Sequence, residues 1–155
     1  MRDGRLDTDG WKHPQNIIVQ EKEDSGGRSQ VIELGYVSPP SADPLSPLPH
    51  LYAAASMTVF PSFYEGFGIP VVEAMACACP VVASNVTSIP EIAGDAAMLV
   101  NPNSVEEIAA AMARLDSDPE LRRELIARGL RRAGMFTWNN CARQTLAAYR
   151  RLNIG

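Results

Sequence analysis

The chain has 155 residues, 14 Lys and Arg against 18 Asp and Glu for a formal net charge of −4, 46% hydrophobic residues and 21% charged ones. That length suits one globular, soluble domain with a sizeable core. The mildly acidic balance argues against a nucleic-acid or anionic-membrane partner, so an anionic ligand would have to be attracted locally. No apolar run is long enough to span a membrane and no charged-then-apolar leader opens the chain, which predicts no transmembrane segment.

Residues 1–16 are polar, Gly/Asp-rich and without periodicity, and read as an irregular lead-in. Asp7-Thr8-Asp9 mimics a D-x-D metal motif but follows no apolar strand, so a solvated Asp pair is the better reading. Residues 16–20 (NIIVQ) and 31–34 (VIEL) read as buried strands. The ten residues between them, EKEDSGGRSQ, are too short and too Gly/Ser-rich for a crossover helix. Residues 38–49 carry five prolines and read as a stiff loop, followed by a short helix over residues 50–55.

Residues 57–60 (MTVF) then form a buried strand that leads into a Gly-punctuated turn, and Pro70 opens a helix through Val71, Val72, Ala74 and Met75. Further strands are expected at residues 80–83 and 97–100, with a helical turn at residues 89–92 between them. The last third reads as three helices. Ser104 with Glu107 forms a capping box, Asp118-Pro119 starts the second helix, and Thr137 caps the third. Arg122, Arg123, Arg128, Arg131 and Arg132 form a basic, solvated face, and Phe136 and Trp138 are expected in the core.

Strands alternating with helices predict an α/β fold, a single Rossmann-like layered domain with a mainly parallel sheet and its ligand outside the carboxyl ends of the strands. The loop of residues 62–69 sits at such an end. Gly66 and Gly68 lack Cβ atoms and can take positive φ, and Pro70 suits a helix start. The free amides of Phe67, Gly68 and Ile69 would lie at the positive end of a helix dipole, an anion site fit for phosphate. Glu65 and Glu73 can face one pocket from opposite ends as acceptors for hydroxyls. Each also has a plainer reading, Glu73 as a residue favouring the helix dipole and Glu65 as a solvated turn residue.

The stretch FPSFYEGFGIPVVEAMACACPVVASNVTSIPEIAGDAAMLVNP, with Glu65 and Glu73 separated by seven residues, resembles the E-x7-E signature of the retaining glycosyltransferases of family four. The resemblance covers about residues 35–151 and points to the C-terminal, donor-binding half of the two-domain GT-B fold, here residues 17–152 and incomplete at its N-terminal end. It implies a nucleoside-diphosphate sugar as partner, a GDP- or UDP-hexose, with hexosyl transfer as the activity. By the same resemblance Glu73 holds the ribose hydroxyls. Glu65, with the backbone of Gly66, Phe67 and Gly68, reaches the transferred sugar. The amides from Ile69 through Pro70 and Val71 to Val72 meet the diphosphate, and Val37 lies in the turn where the family seats the base. The family usually has Gly where this chain has Ala78, so a left-handed backbone there would cost on the order of 1 kcal/mol.

This reading requires no metal and no cofactor. It calls for a separate acceptor-binding domain or chain, without which the donor-binding domain would be inactive. The alternative is a non-catalytic nucleotide-sugar-binding subunit or partner of a split transferase. The three cysteines, Cys77, Cys79 and Cys141, are odd in number and lack metal-ligand spacing, which fits small buried thiols in a reducing cytoplasm.

Overall fold

The computed structural model describes Val37 and residues 46–152. The strands expected at residues 16–20 and 31–34, and the lead-in, lie outside the described residues. The chain divides into two compact units, Met1–Leu48 and Pro49–Gly155. In the first, Val37, Ser46 and Leu48 are buried, and the Leu48 amide donates to Ser46 Oγ at 3.2 Å.

The order of elements is α1 (Leu48–Ala54), β1 (Thr58–Phe60), α2 (Ile69–Ala76), β2 (Val81–Ser84), α3 (Ile89–Ala93), β3 (Met98–Val100), α4 (Val105–Ser117), α5 (Pro119–Ala133) and α6 (Trp138–Arg151). Among the described residues the sheet has three parallel strands in the order β1-β2-β3, with Val59 opposite Val82 and Ala83 opposite Leu99. The parallel α/β layering expected from the alternation of elements is therefore present. The five-proline stretch yields its last two residues to α1, which starts at Leu48 and not at His50.

The pleat of β2 sorts the core into two layers. Val81 and Ala83 point to one face, where they meet Val71, Ala74 and Met75 of α2 and Ile89 and Ala93 of α3. Val82 points to the other, where it meets Val100, Ala111 and Leu115 of α4 and Leu125 of α5. All four β2 residues are buried, as a central parallel strand covered on both faces requires. Strand β1 is only half-buried, less than the buried strand expected from its apolar run. Helix α5 reaches both layers: Leu121 and Leu125 join the α4 side, while Gly129 and Ala133 lie on the α2 side. A Cβ on Gly129 would sit 3.2 Å from Met75 Cγ, so the missing side chain is what lets α5 close on α2.

The helix ends follow the capping chemistry in the sequence. Ser104 Oγ accepts from Glu107 N at 3.1 Å, Asp118 Oδ1 from Leu121 N at 2.9 Å, and Thr137 Oγ1 from Asn140 N at 3.2 Å. The capping box is opened on one side, because the Glu107 carboxylate accepts from Asn101 N at 2.8 Å, outside the helix. Helix α2 closes in a Schellman arrangement. Cys79 N donates to Ala74 O at 2.9 Å and Ala78 N to Met75 O at 3.1 Å, with Ala78 left-handed at φ 59. Two core assignments change. Trp138 is 89% exposed, and α6 contributes no buried residue, so its apolar side is not covered among the described residues. Phe136 is half-buried, its ring edge-on to Phe67.

Candidate functional site

The site is assembled at the carboxyl edge of the sheet. Strand β1 ends at Phe60 and β2 at Ser84, and because the two strands are hydrogen-bonded neighbours, the loops that follow them emerge side by side. The first loop carries Glu65 and delivers the chain to α2, and the second carries Thr87 and Ser88 into α3. Ser84, fully buried at the end of β2, has a hydroxyl without a hydrogen-bond partner.

Gly68 is the pivot of the first loop. It is the N-cap of α2 at φ 101, ψ 49, in the left-handed region that glycine takes without steric cost, and it is buried. Pro70 occupies the second position of the helix, one residue later than expected, since Ile69 begins it. Gly66 does not take positive φ, contrary to the expectation for it, and a Cβ there would meet no atom within 4 Å. The freedom of glycine is therefore needed at one of the two positions.

Glu65 is held at three points. Its amide donates to Thr87 Oγ1 at 3.1 Å, its carbonyl accepts from Ser88 Oγ at 2.9 Å, and its carboxylate Oε1 accepts from Ser62 Oγ at 2.9 Å. The Phe67 carbonyl accepts from Ser88 Oγ as well, at 3.0 Å. The Phe67 ring rests edge-on against Phe136 at 5.5 Å, and Arg132 stacks over the Phe136 ring at 5.3 Å. Arg132 in turn donates to the carbonyls of Ile92 and Glu91 at the end of α3. Phe63, Tyr64 and Ile69 stand exposed around the loop.

Glu73 stands on α2, half-buried. Burial pushes its carboxyl above the ordinary value, and hydrogen bonding from the Tyr52 hydroxyl of α1 pulls part of the way back. The Tyr52 hydroxyl is itself pushed well up, by burial first and then by the Glu73 charge, so it remains a protonated donor at neutral pH. Cys77, one turn beyond Glu73, is also raised by burial and by that charge. Val71 faces the core, fully buried, and its amide is bonded to Gly68 O at 3.0 Å; Val72 is half-buried. Pro70 has no amide hydrogen. Of the expected residues, Glu65, Gly66, Phe67, Gly68, Ile69, Pro70, Val71, Val72 and Glu73 thus form one continuous loop and helix start. Val37 is buried in the other unit.

Three of the α5 arginines are paired with carboxylates, while Arg131 stands exposed. Arg122 pairs with Asp116, Arg123 with Glu120, and Arg128 with Glu124 and Asp95. Arg128 also bonds the Asp95 carbonyl between α3 and β3, and Arg132 bonds the Glu91 and Ile92 carbonyls at the end of α3, where cations complement a helix C-terminus. The part Thr87 and Ser88 play in the site was not read from the sequence. The paired hydroxyls just after a strand were the available signal.

The family model described as "Glycosyl transferases group 1" matches residues 23–132, well over half of the chain. The chain belongs to the group 1 glycosyl transferases. It is similar to the O-antigen chain mannosyltransferase B of Escherichia coli, with 46% identity over 143 residues, 92% of this chain and 35% of that protein. It is also similar to a D-inositol 3-phosphate glycosyltransferase of Thermobifida fusca, with 32% identity over 143 residues, 91% of this chain and 31% of that one. Among solved structures, the sucrose-phosphate synthase from Thermosynechococcus elongatus aligns with a TM-score of 0.57 and 38% identity, over 65% of this chain and 26% of that one. The chain therefore spans about a third of the length of these curated relatives. Its architecture is that of the C-terminal half of a GT-B glycosyltransferase domain. Among the described residues no helix is long and apolar enough to cross a membrane.

Proposed function

We propose that the chain is the donor-binding domain, residues 17–152, of a retaining glycosyltransferase that moves a hexosyl group from a GDP- or UDP-hexose. The observation that carries this reading is the paired carboxylates. Glu65 is fixed in a tethered loop, Glu73 is half-buried one helical turn past the loop's end, and a left-handed glycine joins the two segments. Glu73, half-buried on α2, is an acceptor for the two ribose hydroxyls. Glu65, with the loop backbone from Gly66 to Gly68, orients the hexose. The α2 start, where the Ile69 amide precedes Pro70 and the Val71 amide is already bonded to Gly68 O, faces the diphosphate, whose charge the helix dipole favours there.

In transfer the bond between the sugar C1 and the diphosphate oxygen breaks, with its electron pair leaving on phosphate. Fixed amide dipoles stabilise the charge that develops. A retaining outcome has the acceptor hydroxyl attack from the leaving group's own face, and its proton passes to the departing phosphate oxygen. The acceptor requires a further domain or chain. The exposed apolar side of α6, with Trp138, Leu146 and Tyr149, and the one-third share of the relatives' length support that requirement. Three free thiols, Cys77, Cys79 and Cys141, suit a cytoplasmic setting.

The test is a calorimetric titration of the purified chain with GDP, UDP and ADP and their hexose conjugates, beside Glu73→Ala. One nucleotide should bind saturably, and Glu73→Ala should weaken it about tenfold or more, the loss of a hydrogen bond to a charged group. Flat traces for every nucleotide, or binding that Glu73→Ala leaves unchanged, would overturn the reading.

A further inference from the structure

Thr87 is left-handed at φ 54 although it is β-branched, a conformation such residues seldom adopt. Ser88 is the N-cap of α3, yet its hydroxyl makes no capping bond. A serine at that position ordinarily accepts from an amide in the first helical turn. Here the hydroxyl is turned away from the helix and donates to Glu65 O and Phe67 O, 23 and 21 residues earlier in the chain. Thr87 Oγ1, one residue before it, accepts the Glu65 amide. The two flanks of one peptide segment are thus gripped by consecutive side chains from the neighbouring loop. Backbone strain and a forgone helix cap both occur where the chain reaches across to Glu65, which is where strain tends to be retained for a purpose.

We propose that Thr87 and Ser88 are positioning residues, which fix the backbone of Glu65 so that its carboxylate, braced by Ser62, presents one orientation to the hexose. Neither residue is assigned a contact with the donor. The part concerning the hexose rests on the reading of the loop as the sugar subsite, while the tether itself is a property of the protein without ligand. The left-handed backbone at Thr87 aims its Oγ1 at the Glu65 amide, and a glycine would adopt that backbone freely but offer no acceptor.

Thr87→Gly therefore separates positioning from stability, and Thr87→Ser retains the acceptor and serves as rescue. The full chain is compared as wild type, Thr87→Gly, Thr87→Ser and Ser88→Ala by two readouts. Hydrogen exchange at the Glu65 amide should quicken about fivefold or more in Thr87→Gly and Ser88→Ala, the factor that matches loss of one ordinary hydrogen bond. It should return towards wild type in Thr87→Ser, with the melting temperature of Thr87→Gly held or raised. Calorimetry with GDP-mannose, GDP, UDP-glucose and UDP should show the preference for the sugar conjugate over the bare diphosphate falling severalfold in Thr87→Gly, while affinity for the diphosphate stays within twofold.

Unchanged exchange at Glu65 would overturn the tether. Equal weakening of conjugate and diphosphate, in step with a lowered melting temperature, would reduce the pair to a structural role and overturn the positioning. Wild-type chain that binds none of the four probes would refute the subsite assignment and with it the hexose part of the proposal, leaving the exchange result to decide the tether.

Discussion

Replacing Gly68 by alanine should be among the most damaging single-methyl changes available to this chain. A Cβ at that position would lie 2.5 Å from Ile89 Cδ1, and the backbone there has φ 101. A left-handed conformation costs an L-residue roughly 1–2 kcal/mol. Ile89 is fully buried in the α2–α3 core layer, so its terminal methyl must shift within packed surroundings, and overpacking of this kind costs typically 1–3 kcal/mol. The sum, about 2–5 kcal/mol, is a large share of the 5–15 kcal/mol of a typical domain. Gly66→Ala is the natural comparison, two residues away in the same loop, with open space around its Cβ and no positive φ. It should be neutral or stabilising by up to about 1 kcal/mol, through the loss of unfolded-state freedom. Urea denaturation followed by circular dichroism reads both. A Gly68→Ala midpoint within about 0.5 kcal/mol of wild type, or equal losses at the two glycines, would refute the account of the loop.

Because burial raises the folded-state carboxyl of Glu73, the stability linked to it is present below the ordinary carboxyl range and is lost as pH rises through the raised value. Glu73→Gln should therefore gain stability relative to wild type as pH rises above the ordinary carboxyl range. A mutant that loses ground over that rise in pH-dependent melts would contradict this. Tyr52→Phe removes the hydrogen bond that opposes the shift, so the Glu73 carboxyl should titrate higher still by carboxyl NMR, and a downward move would count against the pairing. Met75→Ala empties a site 1% exposed between α2 and α5 and should cost about 2–5 kcal/mol in denaturant melts. Trp138→Ser, on the exposed side of α6, should change the stability of this chain by no more than about 0.5 kcal/mol, which the same melts would show.

The fold was legible where each element's local chemistry agrees with its tertiary surroundings. Three hydroxyl or carboxylate caps, the continuous apolar run of β2 and the apolar spacing of α2 were all visible in the residues. Even the left-handed position of Ala78 could be anticipated, because the family resemblance puts a glycine there, just past the end of α2. What could not be read was what depends on partners distant in sequence. Ser88 carries the signature of an ordinary helix cap, and only the adjacency of β1 and β2 turns its hydroxyl towards Glu65. The arginines of α5 look like a solvated run until the fold brings Asp95 and the α3 carbonyls beneath them. Trp138 misled for a related reason: an apolar stripe records that a face is to be covered, and it does not record by what. Gly66 and Gly68 look equivalent in sequence, and only the packing of Ile89 against the latter separates them.

The central claim is that Glu73 holds the ribose of a nucleoside-diphosphate sugar. A cycle between protein and ligand tests it most directly: calorimetric affinities of wild type and Glu73→Gln for GDP and UDP and for their 2′,3′-dideoxy counterparts. The account predicts that removing the hydroxyls and removing the carboxylate each weaken binding by about 1.5–3 kcal/mol, and that the doubly altered pair is scarcely weaker than either alone. Losses that simply add, or a Glu73→Gln chain that still prefers the ribose form as strongly as wild type, would contradict it.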